Sequence, residues 1–445
     1  MINDTIAALS TAIGVGGVAV IRVSGDGAID VAEKIFKPLG GVKVKDFEPY
    51  KMYVGEICGE GFTDFGMCVY FKAPKSFTGE DVVEFHSHGG IAITTGILSK
   101  IYSLGVRPAT KGEYTKRAFL NGKMSLASCE GLIDMINSES VGEVKAGYYL
   151  YREKLTEKIK SLQSELTYAL AFIDAGIDYP EEGVVEDNYD EIKKTVAKVK
   201  GEVEEIISRY RSGRAIKSGV KTALLGKPNT GKSSLLNRLL DYDKAIVSPV
   251  AGTTRDVVEG EIHIGGVRFF LSDTAGIRDS DDKIESVGVE RAKKIIKGSD
   301  ICVVVLDGSS DLTEEDENVL KETENENRII VANKCDKDEG RFAADIRVSA
   351  LTGEGIDELK EMLFQRAVGG KIDLGGDFLT EERHYIALKS AKETLEAAEK
   401  NFSAAALELI ASDIKTAWDQ LGEVSGETAS ESIIDEIFSK FCVGK

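Results

Sequence analysis

The chain is 445 residues long and carries a formal net charge of −19, from Lys+Arg 56 against Asp+Glu 75. That length exceeds one hydrophobic core and implies two or three domains, and the charge excludes a generally basic nucleic-acid binder, so any RNA contact must come through a local basic patch or a second protein. Cys58, Cys68, Cys129, Cys302, Cys335 and Cys442 form no C-x-x-C pair, which argues for a reducing cytosolic setting and against a zinc site or disulfide framework.

Residues 1–118 read as an α+β domain. Gly17–Val23, Met52–Ile57, Gly66–Phe71 and Val82–Phe85 have strand character, and Ile91–Leu104 has helical spacing. His86 and His88 alternate in a strand without further Cys or His nearby, which favours ordinary strand-end residues over a metal pair. From residue 119 the pattern turns helical. Leu155, Ile159, Leu162, Leu166, Leu170 and Ile173 recur every three or four residues, the mark of an amphipathic helix. Asp178-Tyr179-Pro180 interrupts it, and a second helix is expected over Glu191–Arg211.

After residue 213 strands and turns return. Val220–Leu225 leads into Gly226-Lys227-Pro228-Asn229-Thr230-Gly231-Lys232-Ser233, which fits G-x-x-x-x-G-K-[ST], and Ser234–Leu240 opens a helix. Such a loop curls so that successive N–H groups face phosphate oxygens; Lys232 would reach the β- and γ-phosphates and Ser233 would offer its hydroxyl to Mg²⁺. Asp273-Thr274-Ala275-Gly276 follows the apolar run Val267–Leu271 and supplies a carboxylate for a second Mg²⁺ contact. Asn333-Lys334-Cys335-Asp336 follows Ile329–Ala332. A carboxylate at Asp336 accepts from N1 and N2 of guanine, a donor pair adenine lacks. Ser349-Ala350-Leu351 follows Ile346–Val348 as a further guanine loop. In this order at predicted strand ends, these pieces resemble the GTPase family of P-loop proteins. Beyond Thr380 the chain is helical again, with Leu388, Leu395 and Phe402 spaced by sevens. One helical domain with the GTPase inserted into it is the economical arrangement; two separate bundles are the alternative.

Hydrolysis needs an aligned water and stabilised charge on the phosphoryl oxygens. Ile277 stands where many small GTPases carry a water-aligning glutamine, so either the role passes to Asp279, Asp281, Asp282 or Glu285, or hydrolysis is slow. No arginine finger is evident. Asn229 and the carbonyls of Ser248-Pro249-Val250-Ala251-Gly252-Thr253-Thr254 offer oxygens to a monovalent cation such as K⁺ in its place.

Three further features carry a closer likeness: the terminal Phe441-Cys442-Val443-Gly444-Lys445, the stretch Ser76–Glu84 followed by His88-Gly89-Gly90, and Arg117–Lys123. With Ala251–Asp256 and Gly276-Ile277-Arg278, they resemble the MnmE (TrmE) family of tRNA-modification GTPases over essentially the whole chain. The resemblance implies a multidomain α/β and α+β fold: an N-terminal folate-binding and dimerisation domain (1–118), a discontinuous α-helical domain (119–213 and 379–445) and an inserted Ras-like P-loop GTPase domain (214–378). It implies a 5-formyltetrahydrofolate-type ligand lined by Arg22, Glu84, Lys123 and Lys445. It implies Mg²⁺ on Ser233 and Thr254, K⁺ on Asn229, Ser248, Val250 and Thr253, and Glu285 as the water-activating residue beside catalytic Lys232 and Asn229. GTP would be held by 229–234, 248–254, 273–276, Asn333, Lys334, Asp336 and 349–351. The implied partners are a second copy of the chain, the FAD protein MnmG, and tRNA, whose wobble uridine receives an aminomethyl or carboxymethylaminomethyl group on C5.

Two positions depart from the family pattern. Thr110-Lys111 precede Gly112-Glu113 where a Pro is usual, and Ser125 stands where Asp is common. Cys442 is either a packed thiol or a functional one. For tRNA, Arg107, Lys111, Lys116 and Arg117, or Arg209, Arg211, Arg214 and Lys217, are the basic candidates. A GTP-switched RNA or ribosome assembly factor without one-carbon chemistry is the alternative function. The N-terminus shows no basic-then-apolar signal and no uncharged run long enough for a bilayer, so a soluble cytoplasmic protein is expected.

Overall fold

The structure is a computed structural model that describes residues 4–179, 184–241, 260–273, 294–337, 342–369, 378–402 and 407–445. The chain divides into two compact units: Met1–Ile133 with Leu150–Gln163 and Asp419–Lys445, and Asp134–Tyr149 with Ser164–Trp418.

The first unit is built on a seven-stranded sheet of β1 (Ile6–Leu9), β2 (Gly16–Ser24), β3 (Phe36–Pro38), β4 (Met52–Cys58), β5 (Thr63–Phe71), β6 (Val82–Gly89) and β7 (Arg107–Pro108), in the order β3-β4-β5-β6-β2-β1-β7. Its pairs are antiparallel except β1 with β7. Ile21, Val23, Val83 and Phe85 alternate inward and bury themselves against the helices Ala28–Ile35 and Ile91–Tyr102, through Val31, Ile35, Ile97 and Ile101. Each of the four expected strands is present. β1, β3 and β7 are too short to show a period-2 pattern and join the sheet through their partners instead.

The second unit holds a six-stranded sheet of β8 (Val220–Leu225), β9 (Gly260–Ile264), β10 (Val267–Asp273), β11 (Ile301–Asp307), β12 (Arg328–Asn333) and β13 (Ile346–Val348), ordered β13-β12-β11-β8-β10-β9. Only β9 runs antiparallel, paired to β10. β8 and β11 are central, buried on both faces and almost continuously apolar, as a parallel strand under helices must be. Strand order reverses between β8 and β11, so the loop after β8 opens at the switch point where α/β sheets bind ligands.

Within this unit the helices Val184–Ser208 and Glu382–Asn401 pack along one another, with Val196, Val199 and Val203 on one and Leu388, Ala391 and Leu395 on the other all buried. Lys200 pairs with Glu399 at 2.5 Å across them. Trp418 Nε1 donates to Thr167 Oγ1 at 3.1 Å. Helices preceding and following the six-stranded sheet thus pack on one another. The stripe of Lys154–Asp178 buries Leu155, Ile159, Leu162, Leu166 and Ile173, but Ala169 rather than Leu170 fills the fifth turn. The expected helix Glu191–Arg211 starts at Val184, ends at Ser208, and is followed by a separate helix, Tyr210–Ser218.

Candidate nucleotide site and N-terminal pocket

The loop Gly226–Ser233 joins β8 to the helix Lys232–Asp241. Gly231 has φ +91, and a Cβ there would meet Asn333 Nδ2 at 2.3 Å, so both backbone and space require glycine. Lys232 is buried, and its Nζ donates to Gly226 O at 2.9 Å and Lys227 O at 2.8 Å. The ammonium therefore lies in the curl of the loop, where a phosphate would exchange with these carbonyls. Ser233 Oγ donates to Asp273 Oδ2 at 3.0 Å. Asp273 is buried at the end of β10. A hydroxyl and a carboxylate in that relation form an oxygen donor set that suits a hard divalent cation.

The guanine loops are tied to the phosphate loop. Asn333 Nδ2 donates to Thr230 O at 2.8 Å, while its Oδ1 accepts from Ala350 N at 3.1 Å. Lys334 has φ +67; its Nζ donates to Asn229 O at 2.8 Å and to Asp307 Oδ2 at 2.6 Å. Burial pushes the Asp307 carboxyl up, and Lys334 with Ser309 outweigh it and hold the carboxyl below its ordinary range. Ser349 Oγ donates to Asp336 Oδ1 at 2.6 Å. Asp336 is exposed, and Ser349, fully buried, aims it. Leu351 is exposed beside it. Sequence reasoning missed two members of this network. Asp307 ends β11, a strand that carried no motif, and Asp316 holds Lys227 Nζ at 2.6 Å from the helix Glu314–Glu322.

The side chain of Asn229 is exposed at the rim of the loop, with φ +64. Ser234 opens the following helix and is also exposed. Ser248, Pro249, Val250, Ala251, Gly252, Thr253, Thr254, Thr274, Ala275, Gly276, Ile277 and Glu285 lie outside the described residues.

In the N-terminal sheet, Arg22 Nε donates to Glu84 Oε1 at 2.8 Å across the β2–β6 register. The Arg22 guanidinium lies 5.3 Å from the Phe77 ring centroid and 5.5 Å from that of Tyr114. Tyr114 in turn donates its hydroxyl to Arg22 O at 2.7 Å. Neither aromatic was anticipated; Phe77 lies in the Ser76–Glu84 stretch quoted above, and Tyr114 directly follows Gly112-Glu113. Burial pushes Glu84 up, and His86 with Arg22 more than offset this and hold it low. His88 Nδ1 lies 2.7 Å from Asp64 Oδ1, in keeping with strand-end histidines. Among the described residues, no group of three or more His, Cys, Asp or Glu side chains is placed to hold a metal ion.

Lys123 Nζ donates to Pro74 O at 2.9 Å, on the loop that also carries Phe77. The terminal residues run back to the sheet. Lys111 bridges Val443, and Ser10 Oγ donates to Gly444 O at 3.1 Å. Gly444 has φ +97, and a Cβ there would meet Leu9 O at 2.0 Å. Leu9 adjoins Ala8, which pairs with Arg22, so Lys445 is anchored next to the strand that carries the Arg22–Glu84 pair.

Cys442 is exposed, so it is not a packed thiol. Ser125 caps a helix: its Oγ accepts from Ser128 N at 3.1 Å at the start of Leu126–Asn137, and it donates to Glu153 Oε2 at 2.6 Å. In the first basic cluster only Arg117 is buried; Arg107 and Lys116 are half-buried and Lys111 is exposed. Arg117 is buried against Asp4, Glu80 and Glu113, Arg107 binds Asp4 and Glu113, and Lys116 binds Asp435. The Arg117 guanidinium is thus occupied by internal carboxylates.

Family models match most of the chain: that described as "MnmE helical domain" over residues 126–442, and that described as "GTP-binding protein TrmE N-terminus" over residues 5–123. The chain is 40% identical over 460 residues to the tRNA modification GTPase MnmE of Natranaerobius thermophilus, spanning 100% of both chains. It is 38% identical to the protein of that name from Clostridioides difficile, again over 100% of both. Among solved structures, the G domain of the T. maritima FeoB iron transporter matches 33% of this chain and 98% of its own, at 26% identity and a TM-score of 0.25. No helix among the described residues is long and apolar enough to cross a membrane.

Proposed function

From the premise that this chain belongs to the MnmE family of tRNA modification GTPases, we propose that its GTP hydrolysis drives modification of C5 of the tRNA wobble uridine. The observation that carries this reading is similarity over the full length to relatives of that activity, in a chain whose guanine and phosphate loops are bonded to one another at the strand ends. Lys232 binds the phosphates, and Asp336, aimed by Ser349, reads the guanine edge. Ser233 and Thr254 hold Mg²⁺, which supplies charge neutralisation at the phosphates. The hydroxyl–carboxylate pair of Ser233 and Asp273 supports that fit. Asn229, with Ser248, Val250 and Thr253, holds K⁺, and Glu285 activates the water.

The N-terminal segment 1–118 binds a reduced folate such as 5-formyltetrahydrofolate and mediates homodimerisation. Arg22, Glu84, Lys123 and Lys445 recognise the ligand. In support, a cation paired to a carboxylate under two aromatic rings suits a ligand with a polar heterocycle and an acidic tail. The helical parts 119–213 and 379–445 form one discontinuous domain into which the GTPase part 214–378 is inserted. The chain works with the FAD protein MnmG on tRNA.

The test is joint. Purified protein is assayed for binding of 5-formyltetrahydrofolate, and tRNA from a deletion strain is analysed for wobble-uridine C5 modification. Folate binding together with loss of the modification is expected. No folate binding with fully modified tRNA would sink the reading and favour a GTP-switched assembly factor without one-carbon chemistry.

A further inference from the structure

At the far end of the GTPase sheet from the phosphate loop is a cavity of about 440 Å³, whose lining includes Arg211, Arg214, Lys221, Arg366, Asp300 and Asn327. It sits where β8, β11 and β12 begin: Lys221 is the second residue of β8, Asp300 precedes β11, and Asn327 precedes β12. β8 spans Val220–Leu225, so at ~3.3 Å per residue the cavity is about 17 Å from the start of the nucleotide loop. It is not part of the GTP site.

The basic groups converge for a local reason. Arg211 and Arg214 are three apart on the helix Tyr210–Ser218 and share a face. Arg366 is in the last turn of the helix Ile356–Val368, and that helix is fastened to the first: Arg211 Nη2 donates to Arg366 O at 3.2 Å, and Ser212 Oγ donates to Val368 O at 2.6 Å. Asp300 is the one acidic residue lining the cavity, and its Oδ2 accepts from the Lys221 backbone N–H at 2.9 Å. Among the described residues, no carboxylate forms an ion pair with Arg211, Arg214 or Arg366. The other two basic side chains of the same segment are spent internally, Arg209 on Glu205 and Lys217 on Asp134 and Glu381. Arg211, Arg214, Lys221 and Arg366 are all exposed. In a chain of net charge −19, a concave patch of exposed guanidinium groups is a local centre of positive potential that attracts an anionic ligand. Planar forks in a pocket suit phosphate oxygens, which they can bind in pairs.

We propose that this cavity binds phosphate groups of the RNA backbone, as a sequence-independent contact that positions tRNA on the GTPase part of the chain. The proposal rests on the tRNA reading above. Backbone contacts of this kind fix orientation and make binding depend on salt.

The test uses the full-length chain and an unmodified tRNA transcript, with binding measured across a salt series for wild type and for Arg211→Ala/Arg214→Ala/Arg366→Ala. At low salt the triple variant should bind at least about tenfold more weakly. Its slope of log K against log salt should shrink by roughly 2, since each lost phosphate contact removes about 0.7–0.9. Basal GTP hydrolysis should stay at the wild-type rate. Arg→Lys replacement at the same positions should restore much of the slope, because the charge is kept; restored affinity without a restored slope would mean a packing role and overturn the proposal. Inorganic phosphate serves as a second probe. If the triple variant loses phosphate binding but keeps wild-type tRNA affinity and slope, the cavity takes free phosphate and the RNA assignment is wrong. Equal slopes with folate binding and tRNA modification intact defeat this inference alone. A wild-type chain that binds no tRNA defeats this inference, whereas absent folate binding with fully modified tRNA in the deletion strain defeats the functional reading.

Discussion

Ser233 Oγ meets Asp273 Oδ2 at 3.0 Å, joining the first turn of the helix after the phosphate loop to the end of β10. The hydroxyl is thereby held at the mouth of that loop. Replacing Ser233 with Ala removes an oxygen and leaves Asp273 buried without that donor. Mg²⁺ should then cease to raise GTP affinity, and turnover should fall by on the order of 100-fold or more. Mg²⁺ titrations of nucleotide affinity and hydrolysis check this; an unchanged Mg²⁺ response would remove Ser233 from the ion's ligands.

Asp336 should control base choice. Asp336→Asn replaces one acceptor with a donor, which mismatches guanine N1–H or N2–H and matches the C2 carbonyl of xanthine. GTP affinity should fall by about 2–4 kcal/mol, roughly 30- to 1,000-fold, while XTP affinity rises. Competition binding with GTP, XTP and ATP measures it.

Asn229 presents its amide at the rim of the loop while its carbonyl is held by Lys334 at 2.8 Å. Replacing Na⁺ by K⁺ should raise hydrolysis by on the order of tenfold, about 1.4 kcal/mol of barrier. Asn229→Ala should abolish the rise. Equal rates in the two salts would refute the cation role.

Glu113 should be a stability residue. Burial pushes its carboxyl up, but hydrogen bonds from Arg107, Thr110 and Arg117 overcome this and lower it to about 2. The folded value lies below the ordinary 4.5, so the stabilisation is complete above that pH and is lost as pH falls toward 2. Glu113→Gln leaves buried Arg117 with Asp4 and Glu80 only, at a cost of about 2–3 kcal/mol near neutral pH. The gap between variant and wild type in denaturant midpoint should narrow in acid. A constant gap from pH 7 to pH 3 would refute the charge argument.

The chemistry of the nucleotide site was legible in the linear chain because it is local. Strand, loop and helix start are contiguous at 220–241, and short runs place Asp273, Asn333 and Ser349 at strand ends, where the backbone direction alone points them toward a common ligand. Helical faces were legible for the same reason, since a 3.6-residue period is written along the chain, although Ala169 replaced Leu170 because packing space decides which neighbour turns inward. What only tertiary structure decided is which distant partners each charge meets. Arg117 has the sequence look of an exposed RNA contact, yet the fold buries it among Asp4, Glu80 and Glu113, while Arg211 and Arg366, far apart in the chain, arrive at one cavity. A charge's role depends on its solvation and its neighbours within a few ångströms, and chain order does not encode those until the helices and sheets have packed.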